Sequence, residues 1–228
     1  MECEERQAVA DRGAAERRER HYHERMPRWL HRPIQAGREM REVDGLLRDM
    51  GLHTVCESAK CPNRMECFSR RTATFMLLGD VCTRDCAFCG VTKGKPGAPD
   101  AGEPERVAEV AAALRLCHVV MTSVTRDDLE DGGAAHFAAA VRAVKARMPR
   151  ATVEVLTPDF RGDVTALRVV LEAGPDVFNH NLETVEELYG KVRPGADYRR
   201  SLALLRAAGE ASPAVAVKSG IMVGLGET

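Results

Sequence analysis

The chain has 228 residues, enough for one substantial hydrophobic core, and its 33 Lys and Arg residues nearly balance its 34 Asp and Glu residues. A formal net charge of −1 gives no reason to expect a nucleic-acid surface, and no apolar run approaches the roughly 20 residues of a membrane-spanning helix. The first 20 residues have no apolar core of a signal peptide and mix Glu with Arg, so we expect a cytoplasmic protein.

The N-terminal part of the chain divides at a change of composition. Residues 1–26 are densely charged and predict a solvated tail. Residues 27–70 form a predicted extension, in which Met40, Val43 and Leu47 recur at helical spacing and indicate a short amphipathic helix before the first cysteines.

From residue 71 to residue 228 the sequence alternates between predicted strands and helices. The predicted strands are 73–79, 117–124, 152–158, 176–181 and 214–224, and the predicted helices are 103–114, 132–148, 163–174, 183–190 and 197–209. This alternation predicts an α/β fold with a parallel sheet and right-handed crossovers, either an open doubly wound sheet or a barrel.

Eight cysteines are the main compositional signal, and six of them fall between Cys56 and Cys89. In a reducing compartment, this usage favours metal binding or catalysis over disulfides. The C-x3-C-x2-C motif of Cys82, Cys86 and Cys89 follows the first strand of the predicted sheet. Three thiolates on one short loop can hold three corners of a cubane cluster and leave one iron open. Structural zinc, the alternative, usually requires four ligands.

A second group of cysteines, Cys56, Cys61 and Cys67, has the spacing C-x4-C-x5-C. These soft ligands predict a second iron–sulfur cluster. On spacing alone, a zinc site with His53 as fourth ligand, or a folding staple, also remains open.

The motifs together resemble lipoyl synthases of the radical S-adenosylmethionine (SAM) superfamily. The resemblance runs from about residue 27 to residue 228, and rests on VCESAKCPNRMEC, TATFMLLGDVCTRDCAFCGV, VVMTSVTRDDLEDGGAAHF, EVLTPDF, PDVFNHNLETV and VKSGIMVGLGET. It implies a partial (β/α)6 TIM-like barrel, here with about five strands, and an N-terminal cysteine-bearing extension. A biotin synthase would share C-x3-C-x2-C, HNL and GLGET but would lack the upstream C-x4-C-x5-C.

The resemblance also implies the reaction, which is insertion of two sulfur atoms at C6 and C8 of a protein-bound octanoyl group. Cys82, Cys86 and Cys89 would hold the catalytic 4Fe–4S cluster, and the upstream three cysteines would hold an auxiliary 4Fe–4S cluster that donates the sulfur. The radical comes from SAM, so no side chain is expected to be catalytic. The implied partners are an octanoylated lipoyl-carrier domain and a ferredoxin or flavodoxin electron donor.

Five residues are expected to contact SAM on the same grounds. Asn181 and Glu183 in HNLET are expected at the ribose, and Arg193 at the carboxylate. Thr122 and Ser123, at the end of the second strand, are expected near the amino group.

The remaining polar residues and cysteines carry weaker expectations. Asp127, Asp128 and Asp131 are expected to order a loop rather than bind a metal, and Cys117 is expected to be a small buried residue in a strand. Lipoyl synthases also have a sixth strand and a C-terminal Arg-Ser-Ser-Tyr segment, whose serine is the fourth ligand of the auxiliary cluster. We therefore interpret the sequence as truncated after Thr228, which places the activity of this chain in question and exposes the edge of its last strand.

Overall fold

The computed structural model describes residues 37–70 and 72–228, all of which belong to one compact unit, Gln35–Thr228. The predicted charged tail, 1–26, lies outside the described residues. The strands of the described part are β1 (His53–Thr54), β2 (Thr74–Leu77), β3 (Val81–Cys82), β4 (Thr92–Lys93), β5 (His118–Ser123), β6 (Thr152–Leu156), β7 (Val177–Asn179) and β8 (Ala216–Lys218).

Eight α-helices lie between and before these strands in the described part of the chain. They are α1 (Arg38–Asp49), α2 (Val55–Ser58), α3 (Arg64–Ser69), α4 (Glu103–Ala113), α5 (Ala134–Arg147), α6 (Val164–Glu172), α7 (Tyr189–Val192) and α8 (Tyr198–Ala211). Short 3-10 turns occur at Phe160–Gly162 and Glu186–Leu188. None of these helices is long and apolar enough to cross a membrane.

A six-stranded sheet with the order β1-β2-β5-β6-β7-β8 forms the centre of the fold. Strands β2, β5, β6, β7 and β8 are all parallel to one another, which confirms the five parallel strands expected from the sequence. Strand β1 pairs antiparallel with β2, with His53 opposite Met76. The sheet therefore joins the predicted extension to the predicted core, and the domain division at residue 70 stays a prediction.

The two faces of the sheet differ in character because neighbouring side chains alternate along a strand. One face is apolar and fully buried under helices, as at Val119, Met121 and Phe178. The other face carries buried polar side chains, including Thr122, Glu154 and Asn179. The Ala-rich helix α5 contacts both α4 and α6 on the apolar side, since small residues such as Ala138 and Ala140 allow close approach.

The structure corrects three details of the sequence prediction. Residues 183–190, predicted as one helix, contain a 3-10 turn at Glu186–Leu188 and only the start of α7. The short pairs β1–β2 and β3–β4 were not predicted. Cys117 is exposed and precedes β5 rather than lying buried within a strand.

Candidate functional site

A cleft with a cavity volume of about 230 Å³ opens at the carboxyl ends of the parallel strands. This is the edge of a parallel sheet where ligands generally bind. The cleft is lined by the three loop cysteines and by all five residues expected to contact SAM, namely Cys82, Cys86, Cys89, Thr122, Ser123, Asn181, Glu183 and Arg193. Val55 and Ala59, from the segment around Cys56, also line the cleft.

The cysteine loop, residues 82–89, begins with a sharp reversal at the end of β2. Leu78 has a positive φ of 68°, and its N–H donates to a side-chain oxygen of Glu103 at 2.8 Å. Strands β3 and β4 then pair in parallel and close the base of the loop, where the Gly94 N–H donates to the Cys82 carbonyl. The approach to the loop is thus fixed by a side-chain acceptor at Leu78, and the two chain segments that flank the loop are joined by backbone hydrogen bonds.

Hydrogen bonds also join the cysteine loop to the segment after β5. The Thr83 N–H and hydroxyl both donate to the Thr125 carbonyl, at 3.1 and 2.9 Å. Two backbone N–H groups, of Arg84 and Thr125, donate to the Cys82 sulfur at 3.4 and 3.3 Å. Such donors stabilise negative charge on sulfur, and they are a common means of tuning an iron–sulfur cluster.

Cys86 lines the cleft beside Arg193. Burial raises the pKa of the Cys86 thiol, the Arg193 guanidinium lowers it, and the neighbouring Cys82 and Cys89 raise it further. Cys86 is therefore close to both of the other thiols of the motif, as cysteines of one cluster must be.

Arg193 is oriented by uncharged acceptors. Its Nη1 donates to the carbonyls of Asn181 and Leu182, at 2.8 and 3.2 Å, and to the Tyr189 hydroxyl at 3.1 Å. Its Nε is buried and has no hydrogen-bond partner. The guanidinium therefore retains both its charge and one donor for a ligand in the cleft.

Glu183 occupies a strained position between β7 and the last residues of the chain. Its φ is 66°, and its backbone pairs with Gly220 and Met222 through hydrogen bonds of 3.0 and 2.8 Å. Burial raises the pKa of its carboxyl, while the Asn181 side chain and Arg193 lower it. Gly220 allows Asn181 to approach, because a Cβ there would lie only 2.9 Å from the Asn181 amide oxygen.

Three buried polar atoms of the cleft residues have no hydrogen-bond partner: Ser123 Oγ, Thr157 Oγ1 and Arg193 Nε. Buried polar atoms are rarely left unsatisfied, so their grouping indicates a polar ligand. The Thr122 hydroxyl differs, because it already donates to the Leu156 carbonyl at 2.9 Å. The cleft thus fits an amino-acid- and ribose-bearing molecule such as SAM.

The sequence did not point to Thr157 or His180, which also line the cleft. His180 Nδ1 lies 2.8 Å from the Thr157 carbonyl and its Nε2 lies 3.0 Å from the Ser201 hydroxyl. Burial lowers the pKa of His180 to about 4. Only the position of both residues at strand ends, in TPDF and FNHN, could have marked them in advance.

The second group of cysteines lies on α2, on α3 and between them. Burial raises the pKa of the Cys56 thiol, a hydrogen bond from the Thr74 backbone lowers it, and the nearby Cys61 and Cys67 raise it again. Arg64 joins this segment to α1 through an ion pair with Asp44, and it joins α3 to α2 through an ion pair with Glu57.

The two cysteine groups approach each other at Gly90. A Cβ at Gly90 would lie 3.4 Å from the Ser58 carbonyl oxygen and 3.5 Å from the Ala59 Cα. Among residues 37–70 and 72–228, no three His, Cys, Asp or Glu side chains are arranged as ligands of a single metal ion. The cysteines of a cubane cluster bind different irons, so they need not converge on one point.

The acidic residues after β5 form internal contacts. Asp127 pairs with Arg84, Asp128 pairs with Arg126, and Asp131 accepts from the N–H groups of Gly133 and Ala135. Their carboxylates are thus used to order the loop, as expected from the sequence.

Comparison with known proteins identifies the family. The radical SAM superfamily pattern matches residues 76–228, and the N-terminal domain of lipoyl synthase matches residues 2–61. Lipoyl synthase from Oleidesulfovibrio alaskensis is 60% identical over 204 residues, which cover 90% of this chain and 69% of that protein. The chain belongs to the lipoyl synthase family. It is therefore a radical SAM enzyme by descent, and this family requires a 4Fe–4S cluster, SAM and an auxiliary cluster.

Two other relatives give the same result. Lipoyl synthase from Methylococcus capsulatus is 58% identical over 205 residues, which cover 90% of this chain and 64% of that protein. Lipoyl synthase from Caldanaerobacter subterraneus is 57% identical over 204 residues, which cover 90% of this chain and 71% of that protein. The chain thus spans about two thirds of the length of these lipoyl synthases.

Solved structures support the fold. Methylornithine synthase superposes with a TM-score of 0.55 at 18% identity, covering 86% of this chain and 59% of that chain. A maturase of the FeFe-hydrogenase superposes with a TM-score of 0.53 at 13% identity, covering 82% of this chain and 47% of that chain. These likenesses agree with a partial radical SAM barrel.

Proposed function

We propose that this chain binds SAM and two 4Fe–4S clusters and supports sulfur insertion at C6 and C8 of a protein-bound octanoyl group. One observation carries the proposal: a single cleft brings together Cys82, Cys86 and Cys89 with the five residues expected to contact SAM. These eight residues come from four separate segments of the chain.

The loop cysteines would hold the catalytic cluster and leave one iron for SAM. When bound, the cluster and SAM supply the radical that removes hydrogen from an unactivated carbon, which no side chain can do. In this proposal the role of the protein is to hold, orient and enclose these groups.

The polar residues of the cleft would orient SAM. Arg193 Nε, buried and unpartnered, would donate to the SAM carboxylate, where a guanidinium fits well. Asn181 and Glu183 would bind the ribose hydroxyls. Ser123, also unpartnered, and Thr122 would lie near the amino group.

The apolar lining of the cleft would contact the octanoyl chain. Val55, Ala59, Met76 and Leu156 all line the cleft, and the first two belong to the segment that carries Cys56. Cys56, Cys61 and Cys67 would hold the auxiliary cluster on that segment. An apolar chain bound there would lie between the radical source and the sulfur source.

The partners follow from this chemistry. The octanoyl group would arrive on a lipoyl-carrier domain, and a ferredoxin or flavodoxin would reduce the catalytic cluster. We place this reaction in the cytoplasm, where free thiols remain reduced.

Iron and labile sulfide per chain, measured after anaerobic reconstitution, test the proposal. We expect about eight irons in the wild type and about four in each of two triple variants, Cys82→Ala/Cys86→Ala/Cys89→Ala and Cys56→Ala/Cys61→Ala/Cys67→Ala. Cys117→Ala is the matched control, because this exposed cysteine belongs to neither group. Bound zinc in place of iron would reject the radical SAM function of this chain.

A further inference from the structure

An ion-pair network that is buried at Arg84 and Asp159 begins within the cysteine loop, and the proposed function does not use it. Arg84 stands between Cys82 and Cys86, and only 6% of its side chain is exposed. Its Nε and one Nη donate to the two carboxylate oxygens of Asp127, at 2.6 and 2.8 Å. The same Nη donates to Asp159 at 2.7 Å.

Asp159 extends the network to the other side of the cleft. Its side chain is fully buried, and its second oxygen accepts from Arg200 Nε at 2.8 Å. Arg200 belongs to α8, so the four residues of this arginine network (Arg84, Asp127, Asp159 and Arg200) come from four segments. These are the cysteine loop, the loop after β5, the loop after β6 and the first turn of α8.

The charges of the network are balanced, which a buried arrangement requires. Two guanidinium groups face two carboxylates, and each carboxylate accepts at least two hydrogen bonds. Removing the charge of one member would leave another buried charge with fewer partners. The position of Arg84 therefore depends on residues 43 and 75 positions away in the sequence.

The backbone beside Arg84 carries the contacts that matter for the cysteines. The Asp127 N–H donates to the Thr83 hydroxyl at 3.1 Å, so the Asp127 segment binds the loop through both backbone and side chain. The Arg84 N–H itself donates to the Cys82 sulfur. A displaced Arg84 would withdraw this donor.

We propose that Arg84 is a positioning residue, whose fork-shaped guanidinium, held by Asp127 and Asp159, sets the cysteine loop in its cluster-binding form before iron arrives. The network also keeps the Arg84 N–H on the Cys82 sulfur, where it stabilises added negative charge. This inference rests on the proposed function of the loop as the catalytic cluster site.

Arg84→Lys tests the geometry, because lysine keeps the charge but cannot form the two-pronged pair with Asp127. Asp159→Asn keeps the shape and removes one charge, and it serves as a second variant if Arg84→Lys does not fold. Arg199→Lys is the matched control, because the Arg199–Glu186 pair is exposed. All variants are compared in the Cys56→Ala/Cys61→Ala/Cys67→Ala background, so that all bound iron reports on the loop.

Hydrogen exchange is measured first, on the iron-free protein. The N–H groups of Thr83, Ala87 and Cys89 donate to carbonyls in the folded loop. In Arg84→Lys we expect these amides to exchange about tenfold faster while the amides of β5 and β6 remain unchanged.

Iron content and reduction potential are measured next. We expect the iron content to fall from about four irons per chain in the parent background to about one or fewer in Arg84→Lys. Any cluster that remains should have a lower reduction potential than the cluster in Arg199→Lys, because the donor to the Cys82 sulfur is displaced. Unchanged exchange and iron content in Arg84→Lys would overturn the proposal, and so would equal losses in Arg199→Lys. If the parent background binds no iron, the proposed function fails, while the exchange comparison still decides whether Arg84 orders the loop.

Discussion

Arg193 shows how a single side chain can be prepared for a charged ligand. Its hydrogen bonds run to two carbonyls and a phenol, and its guanidinium carbon lies 5.4 Å from the Tyr189 ring centre. None of these partners carries a formal charge. The cationic group is thus held by uncharged hydrogen-bond partners, although it is close enough to the Glu183 carboxyl to lower its pKa, and its Nε remains available to a carboxylate.

His180 is a second residue of the cleft whose surroundings matter, because they determine the protonation state of its ring. With a neutral ring, Nδ1–H donates to the Thr157 carbonyl and Nε2 accepts from the Ser201 hydroxyl. Because burial lowers the pKa of His180 to about 4, the folded protein takes up this proton only below about pH 4. The unfolded chain takes it up below about pH 6.5.

We therefore expect the free energy of unfolding to decrease as the pH falls from 6.5 to 4, since the unfolded state binds the additional proton. Between pH 7 and pH 4.5, His180 should account for a loss of about 2 kcal/mol. Urea unfolding of the cluster-free protein with chelator, at both pH values, measures this loss. In His180→Gln, the difference between the free energies of unfolding at the two pH values should shrink by about 2 kcal/mol. An unchanged difference would contradict the assignment of this pH dependence to His180.

The loop cysteines and the five residues expected to contact SAM could be named from the sequence because each lies in a short motif. Their common position in one cleft is observed, and their contacts with SAM stay a prediction. The partners of Arg84 were not, because pairing over 43 and 75 positions leaves no local pattern. Thr157 was missed for a related reason. Its hydroxyl is unusual only because it is buried without a partner, and a sequence does not contain that information.

At the scale of elements, the turn after β2 depends on a glycine from another part of the chain. Gly133 begins α5 with a φ of 91°, and a Cβ there would collide with the Leu78 side chain. Leu78 itself has a positive φ and leads from β2 toward Cys82. The start of α5 therefore supports the path into the cysteine loop.

Gly133→Ala should destabilise the protein more than Gly174→Ala does. Both positions have φ near +80 to +90°, but a Cβ at Gly174 would meet no atom within 4 Å. For Gly174→Ala we expect the free energy of unfolding to fall by about 1–2 kcal/mol from backbone strain alone. For Gly133→Ala we expect a further fall of about 1–3 kcal/mol from the collision with Leu78. Urea unfolding compares the two variants, and equal losses would show that Leu78 moves aside without cost.

The five parallel strands were predictable because each is a run of apolar residues between clear turn signals. Strands β1, β3 and β4 have only two residues each, too few for any periodicity. They form because neighbouring chain segments offer hydrogen-bonding partners. The turn at Glu186–Leu188 likewise breaks a helical sequence pattern, since Tyr189 and Arg193 are held by contacts with the Asn181–Leu182 backbone.

At the scale of the whole molecule, the sheet has an exposed apolar margin beside β8. Strand β8 pairs with β7 on one side, and Ile221 and Val223 beyond it are 68% and 81% exposed. An exposed strand edge next to apolar side chains favours association between copies of the chain.

Val223→Lys should therefore reduce the concentration-dependent association of this 228-residue chain, because it places a charge beside the open edge. Val164→Lys is the control, since Val164 is 50% exposed but lies on α6. Light scattering over a range of protein concentrations measures the effect. An equal reduction in both variants would mean that added charge, rather than the strand edge, controls association.

The two cysteine groups differ in how firmly the fold holds them. The cysteine loop is joined directly to the segments after β5 and β6 and to α7. The segment of Cys56 is joined to the sheet by the two-residue edge strand β1 and the Thr74 hydrogen bond, and to α1 through Arg64. Under the proposed function, the cluster on the Cys82–Cys89 loop persists through the reaction, whereas the auxiliary cluster loses sulfur to the product. The fold would then hold the lasting cluster by contacts with several segments, and the consumed one on a segment whose rebuilding would disturb less of the structure.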